Sequence, residues 1–135
     1  MRILAIDLGD VRTGLAAGED ITGTVEPLRV LEERNQEKRF ERLITEVESF
    51  GPDLILVGLP INMDDSEGPR AKASRTFAEQ LSAHCGIPVK LQDERLTSFA
   101  ADEHLRESGR TRKGKKKVQD AIAAAELIRD YLGAH

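Results

Sequence analysis

The sequence predicts an α/β fold: a five-stranded mixed sheet, an antiparallel meander followed by parallel strands, flanked by helices. Three observations predict it. Ile3 to Leu8, interrupted only by Asp7, and Leu54 to Val57 are continuous apolar runs, as strands buried on both faces are. The first three candidate strands are joined by connections too short for anything but antiparallel pairing. From Asn35 onward, helical periodicity alternates with short strands, the pattern of helices laid over a sheet.

The elements follow in order. After the first strand, Gly9-Asp10 makes a turn, and Thr13 to Ala17 reads as a second strand. Thr24 to Leu31 is a third, in which Pro27 marks a sheet edge or a bulge. Phe40, Leu43, Ile44, Val47 and Phe50 fall at helical spacing, with Asn35 as N-cap and Gly51-Pro52 as the stop. Asp53 to Gly58 is the fourth strand, and Gly58-Leu59-Pro60 opens a polar loop that lasts to Gly68. Pro69 suits the first turn of a helix running to about Cys85, with Phe77 and Leu81 inward. Pro88 to Gln92 is the fifth strand. Thr97 to about Glu107 reads as helical, and Val118, Ala121, Ile122, Ala125 and Leu132 mark a last helix. Between them Thr111–Lys117 has the composition of a flexible segment, expected to order on a phosphate backbone.

The length of 135 residues predicts a single domain, 1–135. Charged residues make up 33% and aromatics only 4%, which argues against a base-stacking platform for single strands. A net charge of −4 looks wrong for a nucleic-acid binder, yet residues 110–117 place six positive charges in eight positions. For phosphate contact the local field matters more than the total. The one cysteine, Cys85, excludes an internal disulfide and reads as a small buried side chain. The chain meets Asp7 too early for a signal peptide, and no apolar stretch approaches the ~20 residues of a membrane span. A cytoplasmic protein without a membrane partner is expected.

Three acids stand where buried elements meet loops: Asp7 and Glu94 each after an apolar run, and Asp120 at the start of the last helix. Gathered by the fold, they are candidates for catalysis and for holding Mg²⁺ or Mn²⁺, which prefer oxygen ligands. Two such ions activate water and stabilise the leaving oxygen in phosphodiester hydrolysis. Each acid also has an ordinary structural reading, as turn cap or helix N-cap. Asp93 rivals Glu94, and Glu126 rivals Asp120. In Asp7-Leu8-Gly9-Asp10-Val11-Arg12-Thr13-Gly14 the glycines permit a tight turn, and Arg12 offers a fork-shaped phosphate contact. Further candidates for nucleic-acid contact are Arg70, Arg95, Arg110, Arg112, Lys113, Lys115, Lys116 and Lys117, with Glu67-Gly68-Pro69-Arg70 and Lys72 as a second edge. His84, His104 and His135 lack ligand spacing.

At these residues the chain resembles the YqgF family, whose members carry the names Holliday junction resolvase and pre-16S ribosomal RNA nuclease. The matching pieces are Asp7-x-Gly9-x-x-Arg12-x-Gly14, Gly58-Leu59-Pro60-x-Asn62-Met63-Asp64-x-Ser66-x-Gly68-Pro69, Asp93-Glu94-Arg95-Leu96-Thr97, and the basic run leading into Asp120-x-Ile122-Ala123-Ala124. The resemblance implies an RNase H-like fold and Asp7, Glu94 and Asp120 as the metal-binding acids.

The leading expectation is a divalent-metal nuclease acting on structured RNA, processing 16S ribosomal RNA precursor. One alternative is a resolvase of four-way DNA junctions, whose paired cuts need a two-fold dimer; the sequence leaves monomer or homodimer open. Another is a non-catalytic RNA-binding factor in ribosome assembly. The Asp-x-Gly motif also resembles the phosphate loop of the actin and sugar-kinase ATPases, but those close two such domains around ATP and 135 residues cannot supply both.

Overall fold

The computed structural model describes residues 1–94 and 112–134. Strands β1 (Arg2–Asp7), β2 (Arg12–Glu19) and β3 (Val25–Glu32) form the meander. Strands β4 (Leu54–Leu59) and β5 (Val89–Asp93) add in parallel, giving the order β3-β2-β1-β4-β5. Helices α1 (Gln36–Phe50), α2 (Pro69–Cys85) and α3 (Arg112–Ala134) cover the sheet.

Period-2 alternation divides the core between the two faces. Leu4, Ile6, Leu15, Ile55 and Val57 pack with Leu43 and Val47 of α1 and Phe77 and Leu81 of α2. Ile3, Ala5, Ala16, Leu54 and Leu56 pack with Ala124, Ala125, Leu127 and Ile128 of α3. β1 and β4 are therefore covered on both sides, which is why their apolar runs are continuous. β3 lies at the edge, and its pairing shifts so that Leu15 faces Arg29 while Ala16 faces Pro27. Leu28 is left over as a bulge, so Pro27 marks both an edge and an irregularity.

The helix signals hold where they are described. The Asn35 side chain accepts from the backbone N–H of Lys38 at 3.0 Å, and α1 ends where Gly51 N–H donates to the Val47 carbonyl. Pro69 opens α2 as expected. The helix expected over Thr97–Glu107 lies outside the described residues. One expectation is corrected: α3 begins at Arg112, inside the basic run and not after it. Arg and Lys are good helix formers, and an apolar face already docked on the sheet lets helix propagate toward the N-terminus at little cost.

The parallel arrangement brings the C-terminal ends of β1, β4 and β5 to one edge of the sheet. Open α/β sheets carry their sites along this edge.

Candidate functional site

Asp7 is the last residue of β1 and, by alternation with Ile3 and Ala5, points to the face covered by α3. Its carboxyl hydrogen-bonds that of Glu94, the first residue after β5. The backbone N–H of Glu94 extends the ladder toward the Leu59 carbonyl at 3.4 Å. Gly58 explains how the glutamate reaches Asp7 across β4. A Cβ at position 58 would stand 2.3 Å from Glu94 Oε2, so the missing side chain is the space the carboxylate occupies. Glu94, and not Asp93, is the acid at Asp7.

Asp120 arrives from the covering helix. Gly14 is the register partner of Asp7, and a Cβ there would stand 2.0 Å from the Asp120 carbonyl oxygen. Backbone thus touches backbone, and α3 lies close enough for Asp120 to feel the charge of Asp7. The Asp120 carboxylate accepts from Arg12 Nε at 3.0 Å. The rival Glu126 is bound by Arg129 on the same helix. All three acids lie on one face, at one end of the sheet.

Their electrostatics are those of crowded carboxylates. Burial, then the charge of Glu94 and the bond shared with it, hold the Asp7 carboxyl well above the usual carboxylate range; the positive charge of Arg70 pulls partly back. Burial also raises Asp120. The bond from Arg12 works against that rise, and the charge of Asp7 adds to it. Asp7 therefore binds its proton more tightly than a free carboxyl does.

Among the described residues no three His, Cys, Asp or Glu side chains form a ready metal cage. Asp7 and Glu94 are a pair, and Asp120 is engaged by Arg12 on their flank. This donor set still fits a hard cation: it is all oxygen, and Mg²⁺ is commonly held by one or two carboxylates plus substrate phosphates. Two acids held this close mark a place where positive charge is wanted.

Of the basic candidates, Arg12 sits at Asp120 and Arg70 acts on both Asp7 and Asp120. Arg112, Lys113, Lys115, Lys116 and Lys117 occupy the opening turns of α3, which lead directly to Asp120. Arg95 and Arg110 lie outside the described residues. Glu67 is clamped by Arg75 Nε and Nη2 at 2.6 and 2.7 Å, which fixes the start of α2. Burial pushes the Cys85 thiol up, and His84 packs edge-on against Phe40; neither joins the site. Gly58 was missed by sequence reasoning. Its signal was a glycine inside an otherwise wholly apolar strand, a mark of close approach.

Residues 1–134 match the model of the RuvX family, described as Holliday junction resolvase. A protein of Anaeromyxobacter sp. (strain Fw109-5) named "Putative pre-16S rRNA nuclease" is 40% identical over 136 residues, covering 100% of this chain and 99% of its own length. Among solved structures, T. thermophilus RuvC in complex with Holliday junction substrate aligns with a TM-score of 0.62 at 15% identity, over 99% of this chain and 96% of that one. The fowlpox virus Holliday junction resolvase aligns at 0.65 and 13% identity over the whole of both chains. At such identities the likeness is one of fold, and the fold is RNase H-like, as the motif resemblance implied.

Proposed function

Because the chain belongs to the RuvX family, we propose that it is a divalent-metal-dependent nuclease, a phosphodiester hydrolase acting in the cytoplasm on structured RNA, with 16S ribosomal RNA precursor as its substrate. The observation that carries this reading is the hydrogen-bonded pair Asp7–Glu94, with Asp120 beside it, at the end of the sheet. Its support in sequence is a full-length relative bearing that name at 40% identity.

Asp7, Glu94 and Asp120 would hold Mg²⁺ or Mn²⁺, which when bound supplies an activated water and neutralises charge on the leaving oxygen. The chain's own residues prepare that step. Asp7 and Glu94, hydrogen-bonded to each other, present their carboxyl oxygens together. Arg12 keeps Asp120 in place. Arg70 offsets the acids' charge, so that an anionic phosphate can approach. Arg112 to Lys117, with Arg95 and Arg110, follow the strand by charge alone.

A second reading, junction resolvase, is favoured by the description of the family model. It needs a two-fold dimer to make paired cuts. One experiment separates the readings: purified protein with 16S precursor fragment, single-stranded RNA or a four-way DNA junction, in Mg²⁺, Mn²⁺ or chelator. Metal-dependent cutting of the precursor is expected. Symmetric cutting of the junction alone would establish the resolvase. No cutting of any substrate in either metal would leave a non-catalytic RNA-binding factor.

A further inference from the structure

Between the turn after β1 and the opening turns of α1 and α2 lies a cleft of about 200 Å³. Its charged lining is Arg34, Arg39, Arg70 and a single acid, Asp10. Arg39 Nη1 donates to the Gly9 carbonyl at 2.6 Å, which ties α1 to the turn and fixes one guanidinium at the cleft. Arg34 is exposed and has no partner among the described residues. Arg70 belongs to both places: it lines the cleft, and its charge reaches Asp7 and Asp120. The N-terminal ends of α1 and α2, 15 and 17 residues long, add their own positive potential. Three arginines lining so small a space gather positive charge there, and an anion with several acceptor oxygens matches it through fork-shaped contacts. The volume falls below the ~300 Å³ at which sites for whole small molecules begin. It suits one phosphate group of a longer chain.

We propose that the Arg34–Arg39–Arg70 cleft binds a phosphate of the nucleic-acid strand other than the one at Asp7 and Glu94, and so sets how the strand runs across the acids. This rests on the nuclease reading, but its test needs no cleavage. Internal and terminal phosphates share the required chemistry.

Binding is measured in chelator, for wild type and Arg34→Ala, to a structured RNA and to a four-way DNA junction. In each ligand single phosphates are replaced in turn by neutral methylphosphonates, with a 2′-O-methyl sugar at that position in RNA. The strands end in hydroxyls in one set and in terminal phosphates in another. In wild type, one neutralised position is expected to weaken binding about tenfold, as for a hydrogen bond to a charged group. In Arg34→Ala that position alone becomes silent, and the salt slope falls by about one unit. Coupling at an internal position assigns the cleft to the running backbone; coupling only to a terminal phosphate assigns it to a strand end. If no position changes its effect in Arg34→Ala, the cleft is not a phosphate site. If wild type binds neither ligand, the nuclease reading and the cleft fall together. Loss of cleavage in the assay above, with this coupling intact, would remove only the nuclease.

Discussion

A methyl group added at Gly58 would stand 2.3 Å from Glu94 Oε2 and 3.3 Å from Leu127 Cδ1. The nearer atom ends a flexible side chain, so the fold absorbs the change by moving the carboxylate. Gly58→Ala is expected to keep a near-native Tm while metal-dependent cleavage drops about 100-fold, the scale of a catalytic group displaced by about 1 Å. Cleavage at the wild-type rate would show that Glu94 is not required where it lies. Asp7→Asn is expected to abolish cleavage and retain nucleic-acid binding. It should also erase any rise in Tm on adding Mn²⁺, a readout independent of turnover. A full Mn²⁺ shift in this variant would place the ion elsewhere.

At the scale of elements, the approach of α3 to β2 depends on small residues. Gly14, Ala16 and Gly18 lie under Asp120, Ala124 and Ile128, and a Cβ at Gly18 would stand 2.6 Å from Ile128 Cγ2. At Gly14 the obstacle is the helix backbone at 2.0 Å, which cannot rotate away. Gly14→Ala should therefore cost about 3 kcal/mol, the upper range for overpacking, read by urea unfolding. A cost under about 0.5 kcal/mol would mean the helix is free to shift. The opening of α3 has the opposite character. Arg112, Lys113 and Lys115 put positive charge in helical turns whose dipole already carries it, a local penalty that a phosphate backbone removes. Replacing Lys115, Lys116 and Lys117 by Ala should weaken all nucleic acids alike and flatten log Kd against log salt by up to about three units. Unchanged curves would make this run a solvated helix end.

For the molecule as a whole, the crowded acids link stability to pH and metal. A carboxyl raised by the fold binds its proton more tightly folded than unfolded. Its contribution is thus whole below the unfolded value of about 3.9 and is lost as pH rises through the folded value. Asp7 and Asp120 act in this sense. Asp20, Asp64 and Glu67 are lowered by exposed partners and act in the other. Comparing Asp7→Asn with wild type in chelator cancels these latter groups. The Tm advantage of the variant should grow from pH 4 toward neutrality and shrink when Mn²⁺ stabilises the wild type. A difference independent of pH would show that Asp7 titrates normally.

The sequence by itself determined the order of the described elements, the caps at Asn35 and Gly51, the buried central strands, and the edge character given by Pro27. These are local signals, carried by periodicity and backbone stereochemistry within a few residues. It also put forward Asp7, Glu94 and Asp120, yet left Asp93 and Glu126 standing beside two of them. Only the tertiary structure decided those choices. Which acid faces Asp7 depends on Gly58 in another strand, and where Asp120 lies depends on Gly14 and the docking of α3. It also decided that the basic run starts a helix, because packing of the face beyond it lets residues that favour helix extend the turns. The cleft of Arg34, Arg39 and Arg70 joins three segments up to 66 residues apart, from Leu8 to Ser74. No local pattern marks such a convergence; it exists only once parallel strands bring their ends to one edge.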